Sequence, residues 1–537
     1  MYNNMVSLDT TYDIEYRKAN GIYYTPEVIV EYMVRETVGR LIEDKCPEEI
    51  NGISIVDPAC GDGNFLVGVY KYLVEYHKKW YDEHKDVDEY KSDWYIKDGM
   101  LELTETKKQE ILLNNIYGVD IDQNAINHAK IRMAGLVGNI DLSNNIKCGN
   151  SLMGTDYFSN MLFYDDALWN EIKPFDWNKE FPKVFQNGGF DIVIGNPPYG
   201  IKFNKIEKKY FIKKYLSTRT ILNKQKGSFD SFSLFIELGF KLLKKDGMLI
   251  FIVPISITSS ESNGSLYKLL EENCEEIKIS SYADSPQPIF ENAVINTSII
   301  EIKKTLTHCE RILCTKMYRK KEGTDMNELM KNLKFINVKN FKLLGRYPKI
   351  SEDIEINILS KLFSINTKIG DLLSNQGAPI YYRFAGGRYF KIFTNYSTGS
   401  SAEKFLNFNI KFANSIGAIL SSDLYFWYYQ IFSDNHNLKL YDIKSFPIPI
   451  EKLTDDIITK LKDVYQRYLD DIERNVKIID TDKYVNIDSF KRYEIRKSKS
   501  IIEEIDDIIC PLYGLDNEEI NFIKNYEIEF RVDDYNY

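Results

Sequence analysis

Apolar residues recur at Val30, Met33, Val34, Val38, Leu41 and Ile42, the three-and-four spacing of a single helix face. The pattern predicts a helix over 27–43, entered through Thr25-Pro26, where Thr can cap and Pro suits the first turn. A β-branched run at 53–56 leads into Asp-Pro-Ala-Cys-Gly-Asp-Gly-Asn-Phe-Leu (57–66), after which Phe65, Leu66, Val69, Tyr70, Leu73 and Val74 resume helical spacing. That reads as strand, glycine turn, helix. Strands are predicted again at 116–120 and 190–194, a helix at 125–137 between them, and a further helix at 229–244 ending at Gly247 in a left-handed cap. A wholly apolar strand follows at 248–254, then strands at 277–282 and 295–303. Strand and helix alternating in this way imply an α/β, doubly wound, mostly parallel sheet.

After about residue 305 the alternation fades and loop clusters such as Gly377-Ala378-Pro379 and Gly386-Gly387 appear, which sets an expected domain boundary there. Phe446-Pro447-Ile448-Pro449 marks another break, and the stripe from Ile457 to Ile472 beyond it reads as helix packing. The expected domains are 1–305, 306–450 and 451–537, the second of mixed α+β character and the last helical.

A length of 537 residues, 44% hydrophobic and 28% charged, is that of a folded chain with an ample core. No apolar run is long enough to cross a bilayer and no signal peptide opens the chain, so a cytoplasmic location is expected. Seven scattered cysteines without a CxxC pair are expected to be reduced thiols, and no metal site is expected. Five histidines, none beside a nucleophile, argue against a triad hydrolase.

The net charge of −10 hides a local reversal, because 202–226 holds nine basic residues against Glu207 alone. A solvated helix face explains such a run as well as a nucleic-acid contact does. The interleaved Phe203, Tyr210, Phe211 and Tyr215 suit the second reading.

Two motifs carry chemistry. The glycine turn at 57–66, with Asp120 ending the next strand, would let backbone approach a nucleoside while the carboxylate accepts from ribose hydroxyls. Asn196-Pro197-Pro198-Tyr199 follows an apolar strand, and its two prolines stiffen the backbone and withhold N–H donors. The Asn196 side-chain carbonyl and the Pro197 backbone carbonyl can accept both hydrogens of an exocyclic amine, and Tyr199 offers a ring for stacking.

This ordered set resembles the gamma-type adenine-N6 DNA methyltransferases of restriction-modification systems, strongly over 19–304. The resemblance implies a Rossmann-like methyltransferase domain using S-adenosyl-L-methionine. It implies cofactor contacts from Tyr24 and Thr25 of Gly21-Ile22-Tyr23-Tyr24-Thr25-Pro26, from Asp57, Ala59, Gly61, Gly63, Asn64 and Phe65, from Asp120 and Ile121, from Asn150 and Ser151, and from Asn196. At Asn150 the family usually carries an acid that contacts the cofactor's adenine amine; an Asn carbonyl could still accept that bond. Catalysis would rest on Asn196, Pro197, Pro198 and Tyr199, with Phe290 stacking on the other side of a flipped base. The 59 residues from Gly61 to Asp120 exceed a minimal crossover and imply a charged helical insertion around 70–112.

Duplex DNA is the implied partner, gripped by Lys202, Lys205, Lys208, Lys209, Lys213, Lys214 and Arg219 beside the tetrapeptide. Residues 306–450 then take the place of a target-recognition domain, with Arg383 and Arg388 as candidate base readers. Since about 20 residues precede the first motif, an accompanying nuclease or defence subunit is expected on a separate chain. Glutamine of a protein or cytosine-N4 could occupy the same site, and a non-catalytic specificity subunit is the reading from another class.

Overall fold

The computed structural model describes residues 25–159, 166–289, 295–386, 390–480 and 489–531. The strands Ile55–Asp57 (β1), Ile116–Asp120 (β2), Ile146–Cys148 (β3), Phe190–Gly195 (β4) and Leu243–Pro254 (β5) pair in parallel in the order β3-β2-β1-β4-β5. Cys274–Tyr282 (β6) and Thr297–Lys304 (β7) follow, with β7 inserted antiparallel between β5 and β6. Arg311–Tyr318 (β8) runs parallel to β6, and Ile336–Asn337 (β9) closes that edge. Every residue of β4 and the apolar run of β5 from Met248 to Pro254 is buried, as strands covered on both faces require.

Helices Glu27–Val34 (α1), Asn64–Glu83 (α2), Glu105–Asn115 (α3), Gln123–Val137 (α4), Lys205–Lys214 (α5), Ser231–Leu242 (α6) and Gly264–Glu271 (α7) accompany the sheet. The apolar stripe of α2 noted in the sequence packs into the core with Ile29, Val30, Met33 and Val34 of α1. Strand order reverses at β1, with β2 on one side and β4 on the other. Such a switch point leaves a crevice at the carboxyl ends of the strands, where α/β sheets bind ligands. Asp57, Asp120 and Gly195 are the last residues of β1, β2 and β4.

Four local expectations change. The predicted helical insertion contains a β-hairpin, Trp94–Lys97 with Met100–Leu103, between α2 and α3; Asp98 and Gly99 both have positive φ, the two-residue turn that Asp-Gly favours. The left-handed residue near the end of α6 is Asp246, not Gly247. Gly247 instead allows close approach, since a Cβ there would stand 3.0 Å from the Asp191 carbonyl oxygen. Thr25 does not cap α1; its hydroxyl serves the site described below. The domain boundary falls at 346/347 rather than near 305, because β8 extends the sheet through backbone pairing with β6.

The second unit, from Tyr347 onward, has a sheet of Leu373–Arg383 (β10), Phe393–Thr394 (β11) and Glu403–Phe408 (β12) in the antiparallel order β11-β10-β12. Asp353–Phe363 (α8), Ala413–Leu420 (α9), Asp423–Phe432 (α10), Asp455–Arg474 (α11), Lys499–Ile509 (α12) and Asn517–Asn525 (α13) complete it. α11 packs against α9 and α12, so the helical tail expected as a separate part at 451–537 shares one unit with the residues before it. The stripe Leu461, Val464, Tyr465, Tyr468, Leu469 and Ile472 is buried, the packing role its spacing predicts. Asp506 of α12 serves structure, accepting from the N–H groups of Asp423 and Leu424 at 3.1 Å each. Among the described residues no helix is long and apolar enough to span a membrane.

Candidate active site

Asp57 is fully buried, and its Oδ1 accepts from the Ala59 N–H at 2.9 Å. Burial drives its carboxyl up to about 8, assisted by the nearby negative charge of Asp120. Asp120 is likewise raised by burial, against hydrogen bonds from the N–H groups of Asp122 and Gly61, each at 2.9 Å. The glycine loop is therefore tied to the acid at the end of β2 across 59 residues of sequence. Gly61 and Gly63 have φ of +52° and +87°, values that burden any residue with a Cβ. Open space surrounds the Cβ position of Gly61. Arg132 of α4 locks the loop from outside, bonding the Asp62 carbonyl at 3.0 Å and its carboxylate at 2.9 Å. Ile121, directly after Asp120, stands 47% exposed.

The tetrapeptide leaves β4 next to this loop. A Cβ on Gly195 would meet Asp57 Oδ1 at 2.5 Å, so the strand end and the carboxylate are in direct contact. Asn196 Nδ2 donates to Thr25 Oγ1 at 3.3 Å, and Asn64 Nδ2 to the Thr25 carbonyl at 2.9 Å. Thr25 thus joins the glycine turn to the tetrapeptide, which is why its hydroxyl is not spent on capping α1. The Tyr199 ring is 5% exposed, and the Pro198 carbonyl accepts from Ser231 Oγ at 2.6 Å.

Asn150 and Ser151 reach the same region. Asn150 Oδ1 accepts from the Leu152 N–H at 3.1 Å, which assigns the amide's orientation and occupies one of its oxygen lone pairs. Ser151 Oγ donates to the Pro58 carbonyl at 2.6 Å, while its own carbonyl accepts from Trp177 Nε1 at 3.0 Å. Ser151 therefore shapes the Asp57 loop.

The basic run divides into two faces. α5 is capped by Asn204, reciprocally with Glu207. Phe211, Tyr210 and Tyr215 are buried, with Phe211 edge-on to both Phe203 and Tyr215. The interleaved aromatics are thus packing, not a stacking platform, because the helical period that exposes the lysines turns these rings inward. Lys202, Lys205, Lys208, Lys209 and Lys213 are exposed and form no ion pair among the described residues. Lys214 pairs with Asp156, and Arg219 Nη1 donates to Asn223 Oδ1 at 3.0 Å. Buried Glu237 of α6 accepts from the N–H groups of Leu216 and Ser217 at 2.9 and 2.7 Å, anchoring the C-terminal end of this segment.

Tyr24, Phe290 and Arg388 lie outside the described residues. Arg383 is half-buried on β10, opposite Glu403 of β12. The residues that the sequence patterns did not single out are Arg132, Gly195 and Ser231. A glycine directly ahead of Asn-Pro-Pro was the available signal for Gly195. The other two act through contacts 33 or more residues away.

Residues 114–290 match the family described as Eco57I restriction-modification methylase. The resemblance to adenine-N6 methylases holds. Among similar proteins is the type II restriction enzyme and methyltransferase RM.Eco57I of Escherichia coli, 25% identical over 406 residues, covering 68% of this chain and 36% of the relative. The adenine-specific methyltransferase PglX of Streptomyces coelicolor is 25% identical over 201 residues, covering 34% of this chain and 15% of the relative. The chain thus spans little more than a third of these relatives' lengths at most. The fold matches that of the type IIL restriction-modification enzyme MmeI solved in complex with DNA, at a TM-score of 0.54 and 13% identity, over 98% of this chain and 80% of that one.

Proposed function

We propose that the chain transfers a methyl group from S-adenosyl-L-methionine to the N6 amine of an adenine flipped out of duplex DNA. The observation that carries this reading is the convergence of Asp57, Asp120 and Asn196 at the carboxyl ends of β1, β2 and β4, joined by the Gly61 to Asp120 bond and the Gly195 to Asp57 contact.

The site fits the cofactor's chemistry. Asp120 keeps acceptor capacity for a ribose diol, Ile121 offers an apolar face to a ring, Gly61 leaves room, and Asp57 supplies an acid beside the position of a cationic group. Thr25, Ala59, Gly63, Asn64, Phe65, Asn150 and Ser151 would complete the enclosure, and Tyr24 belongs to the proposal by its motif alone. When bound, the cofactor supplies an electrophilic methyl group. Asn196 and the Pro197 carbonyl would hold the adenine amine by its two hydrogens, Pro198 stiffens the loop, and Tyr199 would stack on the base, with Phe290 assigned to its other face by family resemblance alone. Rate enhancement then comes from proximity and orientation, set against extraction of the base from the duplex, which costs a few kcal/mol.

Burial raises the Asp57 carboxyl to about 8 in the free protein, so a cationic ligand beside it favours release of a proton. Cofactor affinity is expected to rise about tenfold per pH unit between pH 6 and 7, with proton release seen by calorimetry in buffers of different ionisation enthalpy. Asp57→Asn should flatten that slope. In the free protein the same raised carboxyl lowers stability as pH climbs from its unfolded value near 4 toward about 8.

Exposed Lys202, Lys205, Lys208, Lys209 and Lys213 would grip phosphates beside the flipping site, with Lys214 and Arg219 as further contacts. Replacing Lys205, Lys208, Lys209 and Lys213 by alanine should weaken DNA binding on any sequence and reduce the magnitude of the salt slope by about one per lost contact. An unchanged slope in fluorescence anisotropy would remove this segment from the interface. The second unit, by family analogy, would read the target, with Arg383 and Arg388 as base contacts; a restriction or defence partner on another chain belongs to the same proposal. Tritiated cofactor incubated with unmethylated duplex tests the reaction: label in DNA supports it, whereas label in added protein and none in DNA would favour glutamine methylation.

A further inference from the structure

Two buried serines perform the same task on the two loops of the site. Ser151 Oγ donates to the Pro58 carbonyl and Ser231 Oγ to the Pro198 carbonyl, each at 2.6 Å. Pro58 follows the last residue of β1, and Pro198 lies two residues beyond Asn196 after β4. Both carbonyls sit past the strand ends, where a sheet ladder no longer fixes them.

The second contact bears on the reaction. Proline rings fix φ at both Pro197 and Pro198, so the torsions left to this loop are the two ψ angles. The ψ of Pro198 sets both the direction of its carbonyl and the path by which Tyr199 departs. Neither proline has an N–H that could tether the loop, so the acceptor side must do so. Ser231 is the first residue of α6 and is 1% exposed, and its neighbours Phe232, Leu234 and Ile236 are buried, which makes its platform rigid. Its hydroxyl reaches the loop 33 residues away, and the α6 N-cap position belongs to Asp230.

We propose that Ser231 is a positioning residue for methyl transfer. By pinning the Pro198 carbonyl to α6 it holds ψ at Pro198, which sets how Tyr199 meets the base, and it anchors the far end of the loop from which Asn196 and the Pro197 carbonyl receive the amine. This rests on the adenine-methylation reading given above.

Steady-state kinetics of Ser231→Ala on duplex DNA test it. The expected result is a kcat lower by roughly 10- to 100-fold, the scale of a small misplacement of reacting groups, with KM for DNA and Kd for S-adenosyl-L-methionine within about twofold of wild type. Ser231→Thr, which keeps the hydroxyl, should restore kcat. Should Ser231→Ala not fold, Ser231→Cys, of similar size but a weaker donor, should show an intermediate kcat. A kcat in Ser231→Ala within twofold of wild type, or a loss confined to KM, overturns the proposal. The crystal structure of Ser231→Ala gives a reading independent of activity: a Pro198 carbonyl turned away from α6 is expected, and an unmoved one overturns the clamp. If wild type methylates no DNA, the functional reading falls, and the crystal structure still decides whether Ser231 sets the loop.

Discussion

Asn196→Ala is expected to reduce methyl transfer to DNA by roughly 10²- to 10³-fold, the scale seen when a positioned hydrogen-bond partner of the reacting group is removed. The side chain leaves the end of β4 beside Asp57, and its amide is oriented by the bond from Nδ2 to Thr25 Oγ1. Alanine removes that anchor along with the acceptor for the amine. Cofactor affinity should fall only a few-fold, since Asp57 and Asp120 remain. Single-turnover kinetics with cofactor at saturation separates the two effects. A variant that loses cofactor binding but retains the chemical step would place Asn196 in the cofactor site alone.

Asp120→Ala should do the reverse. Its carboxylate holds the N–H groups of Gly61 and Asp122 and, in the proposed complex, accepts from the ribose. Hydrogen bonds to a charged group are worth about 1.5–3 kcal/mol each. Losing the ribose contacts and the loop tether together should weaken cofactor binding by roughly 10²- to 10³-fold, read by calorimetry. Asp120→Asn keeps an acceptor but no charge and should fall between. Cofactor binding unaffected by Asp120→Ala would take the ribose away from this acid.

The doubly wound sheet was legible because its strands obey local rules: the run of β5 from Met248 to Pro254 is uninterruptedly apolar, β2 is a short run closed by Asp120, and the glycine turn marks where β1 gives way to α2. Asp57, Asp120 and Asn196 were legible for the same reason, being motif residues at strand ends. What the sequence left hidden depends on contacts between distant segments. Nothing near Thr25 says that its hydroxyl meets Asn196, 171 residues on, instead of capping α1. Nothing near Arg311 says that β8 will join β6, which carries the first unit on to residue 346, past the composition change near 305. The aromatics of 202–226 suited a nucleic-acid surface until the helical period turned them inward. The hairpin at Asp98-Gly99, by contrast, carries a local Asp-Gly turn signal.

The most direct measurement is the identity of the methylated nucleoside. Purified protein incubated with isotopically labelled S-adenosyl-L-methionine and unmethylated duplex DNA, followed by digestion to nucleosides and mass spectrometry, should yield labelled N6-methyldeoxyadenosine, absent with Asn196→Ala. Label on cytosine, or DNA without label while the protein binds both cofactor and duplex, would contradict adenine-N6 methylation as the reaction of this site.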